Sequence, residues 1–203
     1  MNKQVSEEEQ KDKIKKMTKT LFKEILLAEQ KFTIMDTIAY KVNGSKHKDV
    51  LVPIVDSLAT SVIISLYNIY NKMNDAINFV NLIDEIIKYQ SKYGDTNTIN
   101  YFICLKDKVT ITNNIDMLIK KIGKTRSKKY AHLIVEFYLE NKFNNPNYIL
   151  NLKEIKILLD VALQIIKDIY KVFLKENITY GKADLKALSE KSKSFLSDLG
   201  INL

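Results

Sequence analysis

The chain has 203 residues, of which 46% are hydrophobic and 28% are charged, and its net charge at pH 7 is +8. With five Gly, two Pro and one Cys, this composition excludes a disordered chain, a collagen-like repeat and a disulfide scaffold. We therefore expect residues 1–203 to form one domain with one sizeable core.

Apolar residues recur every three to four positions along almost the whole chain, which predicts helix throughout. The first predicted helix covers residues 7–42, follows a frayed start at 1–6, and ends before Gly44. The second begins near Ser45 or Asp49 and runs to about residue 73, with Pro53 in its first turn or at a kink. We expect this second helix to be the most buried one.

The third predicted helix covers about 74–93, and the fourth covers about 98–122. Within the fourth, residues 109–114 alternate like a β-strand, but a single short strand would have no partner here. A kink or a short break is therefore predicted. The fifth helix begins at Thr125 or Ser127, because either side chain could cap it, and it ends near residue 142.

Asn151 is the predicted N-cap of the sixth helix, which has the clearest periodicity and runs to about residue 173. A last short helix lies in a C-terminal helical extension at residues 182–203. The connections between the helices are short, so that neighbouring helices should be antiparallel. The expected fold is an all-α, up-and-down bundle of about six to seven helices.

The sequence also gives expectations about location. The longest run without a charged side chain is 57–71, which is 15 residues long and too polar to cross a membrane. Residues 1–13 are highly charged and lack the apolar core of a secretory signal. We therefore expect a cytoplasmic protein with no membrane partner. Cys104 has no second cysteine to pair with, and its apolar helix predicts a buried, inert thiol.

Arginine is almost absent from this basic chain. Of the 32 basic residues, all but Arg126 are lysine. Lysine can replace arginine on a solvated surface, but not where a planar, permanently charged group must hold a phosphate at two points. Arg126 is therefore a candidate site residue, and one of the two histidines of the chain, His132, follows six positions later.

The residues around Arg126 are strongly cationic. Six basic side chains and no acidic ones lie within 120–129, which favours an anionic polymer such as RNA as partner. The alternative is an ordinary solvated surface, expected anywhere in a chain so rich in lysine. The candidate RNA-binding lysines are Lys120, Lys121, Lys124, Lys128 and Lys129.

His132 falls on the polar face of the fifth predicted helix, opposite an apolar stripe that begins at Tyr130. Arg126 and His132 can converge only if Arg126 lies at or before the helix cap, near Ser127. Glu136, one turn beyond His132, could hold the imidazole by a hydrogen bond and favour its charged form. A solvated pair is the alternative.

The heptapeptide from Arg126 to His132 resembles the Arg-x(4 to 6)-His signature of the HEPN superfamily, in the branch related to abortive-infection proteins. That branch commonly reads Arg-Asn-Lys-Tyr-x-Ala-His. This chain keeps Arg126, one lysine, Tyr130 shifted by one place, Ala131 and His132. Ser127 stands where the family usually has Asn, Asp or another polar residue.

The resemblance implies a compact helical dimer in which two signatures face each other across a basic cleft. It implies a metal-independent endoribonuclease that uses no cofactor, with Arg126 and His132 catalytic and Ser127, Tyr130 and Glu136 accessory. It further implies RNA as substrate, a prokaryotic defence or toxin role, and a cognate antitoxin protein as a further partner.

Two other interpretations remain open at this point. The first is a non-catalytic helical module that binds nucleotide, RNA or a protein through a degenerate site, marked by Ser127. The second is an antitoxin or scaffold in which Arg126 only pairs with a carboxylate. A metal site is not expected, because two distant histidines and one cysteine provide no recognisable ligand pattern.

Overall fold

The computed structural model describes residues 6–42, 46–73, 76–110, 113–125, 151–178 and 182–198. These residues form α-helices joined by short connections, and they contain no β-strand. The predicted all-α helical bundle is confirmed. The seven described helices are α1 (Glu7–Val42), α2 (Lys48–Tyr70), α3 (Phe79–Tyr93), α4 (Thr96–Thr110), α5 (Asn113–Thr125), α6 (Leu152–Ile169), which continues as a π-helical turn (Tyr170–Leu174), and α7 (Lys182–Asp198).

Helix α1 is the central element of the bundle, because α2, α3, α6 and α7 all pack against it. Its N-terminus carries a reciprocal cap in which Glu9 N–H donates to Ser6 Oγ at 3.2 Å and Ser6 N–H donates to Glu9 Oε2 at 2.9 Å. The buried stripe of α1 matches the predicted spacing and forms much of the core. Its members are Ile14, Leu21, Ile25, Ala28, Phe32, Met35 and Ile38.

Helices α1 and α2 run antiparallel and are joined by polar contacts as well as by the core. Lys31 Nζ donates a hydrogen bond to Ser61 Oγ at 2.7 Å, and Ser65 Oγ donates to Glu24 Oε1 at 2.5 Å. The later residue on α2 contacts the earlier residue on α1. This is the antiparallel order that the short connection predicted.

Helix α2 is not the most buried helix, and that prediction was wrong. Seven of its 23 residues are buried, against eight of 18 in α6. Val50 is 62% exposed and Ile64 is 39% exposed. Apolar residues occupy more than one face of α2, and the spacing cannot tell which of those faces a neighbouring helix covers.

By length and composition, α2 could also cross a membrane. An 18-residue window within it has a mean hydropathy of 1.9, and 28% of that window is buried. This is weak evidence for a membrane span, since core helices of soluble proteins meet the same two criteria. The absence of a transmembrane helix therefore stays a prediction.

Two predicted boundaries can be compared with the structure. Helix α3 begins at Phe79, some five residues later than predicted, because Asn78 caps it. The Asn78 side chain accepts from Asn81 N–H and donates to Met73 O, both at 2.9 Å. Where a kink or short break was predicted within the fourth helix, the structure has two separate helices, α4 to Thr110 and α5 from Asn113, and residues 111–112 lie outside the described residues.

Cys104 is exposed, so the prediction of a buried thiol was wrong. Helix α4 turns Phe102, Leu105 and Val109 toward the core, and Cys104 lies outside that stripe. The apolar neighbours of Cys104 in the sequence include Ile103, which is itself 43% exposed. An apolar run therefore does not fix which of its members are buried.

Candidate functional site

Most of the predicted site lies outside the described residues. The roles assigned to the site residues that are not described therefore stay predictions. The residues concerned are Arg126, Ser127, Lys128, Lys129, Tyr130, His132 and Glu136. The three remaining candidates, Lys120, Lys121 and Lys124, all lie on α5.

Helix α5 brings the chain to the start of the signature, because its last residue, Thr125, directly precedes Arg126. The helix passes through Gly123, where a side chain would meet the Tyr67 ring at an ordinary 3.9 Å. The helix thus continues two residues beyond the predicted end at about 122–123, and the predicted capping role of Thr125 in the next helix stays a prediction. The other predicted cap, Ser127, lies outside the described residues.

The three lysines of α5 differ in their surroundings. Lys120 pairs with Asp116 at 2.6 Å within the same helix, and its side chain is 70% exposed. Lys124 is exposed at the last turn. Lys121 is 13% exposed and pairs with Glu154 of α6 at 2.7 Å. The charge of this helix is therefore partly balanced by carboxylates that the pattern of 120–129 did not include.

Glu154 has two functions in the structure. Both of its carboxylate oxygens accept from Lys121 Nζ at 2.7 Å. Its Oε2 also accepts from Asn151 N–H at 2.8 Å, while Asn151 Oδ1 accepts from Glu154 N–H at 2.9 Å. This capping box confirms Asn151 as the predicted N-cap of α6. The end of α5 is thereby tied to the start of α6.

Sequence reasoning missed Glu154, although a signal for part of its role was present. Asn151-x-x-Glu154 matches the capping-box pattern, which predicts the reciprocal hydrogen bonds at the helix start. Nothing in the pattern identifies Lys121, 33 residues earlier, as a second partner.

A buried ion pair between α1 and α6 was also missed. The Glu29 side chain is 1% exposed and accepts from Lys156 Nζ at 3.1 Å. Lys156 also pairs with Asp160 at 2.9 Å. Burial alone would lower the pKa of Lys156, but its hydrogen bonds to Asp160 and Glu29 outweigh burial and raise that pKa. Burial also raises the pKa of the nearby Asp36 carboxyl, against the charge of Lys156.

Two tyrosines, Tyr70 and Tyr89, are core residues. Tyr70 is 1% exposed, and its hydroxyl donates to Leu158 O at 2.7 Å. Tyr89 is 7% exposed and donates to Glu7 Oε1 at 2.9 Å. Burial raises the pKa of Tyr70, and burial with the Glu7 hydrogen bond raises the pKa of Tyr89 to about 12. Neither ring is available to a base.

Two further features were found in the described part of the chain. An open groove of about 410 Å³ lies between α1 and α3, crossed by the Lys13–Glu85 ion pair at 3.0 Å, and includes Met17 and Ile77 in its lining. It contains no residue of the predicted site. No group of three or more His, Cys, Asp or Glu side chains that could hold a metal ion occurs among the residues described.

Comparison of the chain with protein-family models, with curated proteins and with solved structures found no match. The fold class comes from the structure itself. The function has to be argued from the residues of this chain.

Proposed function

We propose that this protein is a metal-independent endoribonuclease of the HEPN type, in which Arg126 and His132 act on RNA in the cytosol. One observation carries the proposal. Arg126 is the single arginine among 32 basic residues, and five residues separate it from His132, one of the two histidines of the sequence. The all-α bundle is compatible with this function, and the signature starts directly after α5.

The chemistry requires few groups, because RNA carries its own nucleophile. A base must take the proton of the 2'-hydroxyl, an acid must protonate the leaving 5'-oxygen, and a cation must stabilise the crowded phosphate. The hydroxyl oxygen attacks phosphorus, the bond to the 5'-oxygen breaks, and a 2',3'-cyclic phosphate forms. DNA lacks this hydroxyl and is not cleaved.

A homodimer belongs to the proposal for a chemical reason. One imidazole cannot be base and acid in the same concerted step. A two-fold dimer supplies His132 twice and Arg126 twice around one phosphate. The net charge of +8 and the exposed Lys124 next to the signature favour the approach of a polyanion.

We place the protein in prokaryotic defence or in a toxin-antitoxin pair, with a cognate antitoxin protein as the partner that restrains it. The second candidate function is a non-catalytic RNA- or protein-binding module. The pairing of Lys120 with Asp116 and of Lys121 with Glu154 favours it, because both pairs reduce the charge offered to RNA.

Cleavage of single-stranded RNA in EDTA is the direct test. Arg126→Lys should lower kcat by about 10²- to 10³-fold, since lysine cannot hold the phosphate at two points. His132→Ala should lower kcat by about 10²- to 10⁴-fold, the usual contribution of a general acid or base. His47→Ala, which changes the other histidine, at the start of α2, should cleave like the wild type.

The outcomes separate the interpretations. Cleaved RNA with 2',3'-cyclic phosphate ends, and intact DNA of the same sequence, supports the nuclease. RNA that is bound but left intact supports the module. A protein that neither binds nor cleaves RNA supports the scaffold. Equal activity of His132→Ala and wild type would refute the assigned site even if RNA is cleaved.

A further inference from the structure

The ion pair between Lys121 and Glu154 differs from the Lys120–Asp116 pair of the same helix. We call Lys121, Glu154 and the Asn151 cap the α5–α6 clasp. The Glu154 carboxylate accepts from Lys121 Nζ on both oxygens at 2.7 Å, and its Oε2 also accepts from Asn151 N–H at 2.8 Å. The Lys120–Asp116 pair, by contrast, lies within one helix and is 70% exposed on the lysine side.

The burial of the clasp makes it an effective connection. The side chains of Lys121 and Glu154 are 13% and 23% exposed, so water screens their attraction less than it screens a surface pair. The hydrogen bonds of the cap also hold the Glu154 side chain in place independently of Lys121. The charge of Lys121 is thus directed to α6.

The position of the clasp relates it to the proposed site. Lys121 lies five residues before Arg126, on a helix that ends at Thr125, and Glu154 lies in the first turn of the helix that follows residues 126–150. The clasp therefore holds together the two ends of the stretch of chain that contains Arg126 and His132.

We propose that Lys121 and Glu154 are positioning residues of the proposed ribonuclease. They fix the end of α5 on the start of α6, and with it the position of the chain at Thr125, the residue before Arg126. Lys121 acts through Glu154 and not as a contact to RNA. The inference rests on the proposed function. Small displacements of a catalytic group can lower a rate a hundredfold, which gives this connection a kinetic consequence.

Four variants separate the ion pair from its surroundings. Lys121→Met removes the charge and keeps the stem. Glu154→Gln removes the charge but keeps an acceptor for Asn151 N–H, because glutamine also forms capping boxes. Lys121→Arg can restore a two-point contact to the carboxylate. Lys13→Met is the matched control, since it removes a lysine that pairs with Glu85 between two other helices, α1 and α3, and is not among the predicted site residues.

We expect Lys121→Met and Glu154→Gln each to lower kcat by about tenfold to a hundredfold on single-stranded RNA, with KM changed less than about twofold. The double variant should lose little more than either single one, because both remove the same contact. Lys121→Arg should recover most of kcat, and Lys13→Met should leave kcat unchanged. Thermal unfolding of every variant shows whether it is folded at the assay temperature.

Three results would overturn the inference. If Lys121→Met matches Lys13→Met in kcat, the clasp does not position the site, and the proposed function stands. If it raises KM at constant kcat, Lys121 is an RNA contact. If the wild type cleaves no RNA, the proposed function fails and the positioning role fails with it. Hydrogen exchange in 120–125 and 152–155 then still reports whether the clasp holds the two helix ends together.

Discussion

Glu29 is a buried carboxylate within the apolar pattern of α1. It lies one helical turn from both Ile25 and Phe32, on the edge of the buried stripe of α1. A carboxylate that is 1% exposed is costly unless it is paired, and Lys156 Nζ at 3.1 Å is the partner that α6 provides. The pair therefore joins α6 to α1 within the core.

Lys156→Met should destabilise the protein by about 3 kcal/mol, the lower end of the cost of stranding a buried charge, since Lys156 is itself 44% exposed. Urea unfolding at pH 7 measures the loss. Glu29→Met combined with Lys156→Met should recover most of it, because no unpaired charge remains. A loss below about 1 kcal/mol for Lys156→Met would show that water reaches the carboxylate and that the pair is not structural.

At the scale of elements, the end of α6 contains a strained residue. The helix passes into a π-helical turn at Tyr170–Leu174 and stops at Lys175, which has φ 58° and ψ 28°. This left-handed conformation is the usual C-terminal stop of a helix, but glycine is the residue that adopts it without steric cost. Among the described residues, Lys175 is the only non-glycine residue with a positive φ.

Lys175→Gly should therefore stabilise the protein by about 0.5 to 1 kcal/mol. Relief of the left-handed conformation contributes about 1 to 2 kcal/mol, and the greater freedom of glycine in the unfolded chain offsets part of it. Lys175→Ala is the control, because alanine keeps the strain and should bring no gain. Denaturant midpoints decide between the two, and equal midpoints for both variants would contradict the strain argument.

The elements show which part of the fold a single sequence can specify. The limits of α1, the Asn151 cap and the division between α4 and α5 depend on local spacing and turn chemistry, and all three were predicted. The exposure of Cys104 and of Ile64 depends on which neighbouring helix covers a face, and local spacing contains no record of that. The burial of α2 was misjudged for the same reason.

The candidate site shows the same limit. Its residue types could be identified, because the rarity of arginine and the Arg126-to-His132 spacing are properties of the sequence alone. The partners of its lysines could not. Lys121 and Glu154 are 33 residues apart, and any of the 24 acidic residues could have been the partner. Only tertiary contacts distinguish a lysine directed to RNA from one directed to another helix.

For the whole molecule, the titratable groups with shifted pKa values point to sensitivity at high pH. The pKa of Tyr70 is raised by burial, and that of Tyr89 is raised to about 12 by burial and its hydrogen bond to Glu7. The pKa of Lys156 is also raised. In the unfolded chain these groups titrate near pH 10 to 10.5.

Stability should therefore be constant between pH 8 and 9 and fall as the pH rises above about 10. In that range the unfolded chain releases its tyrosine protons first while the folded state keeps them, so that unfolding is coupled to proton release. Each such tyrosine contributes up to about 1.4 kcal/mol per pH unit. Urea unfolding at pH 8, 9, 10 and 11 measures how the free energy of unfolding changes with pH. Tyr89→Phe should reduce this dependence on pH, whatever its effect on stability at pH 8. Equal stability at pH 8 and pH 11 would mean that the folded state ionises its tyrosines as readily as the unfolded chain, and that the hydroxyls of Tyr70 and Tyr89 are open to water.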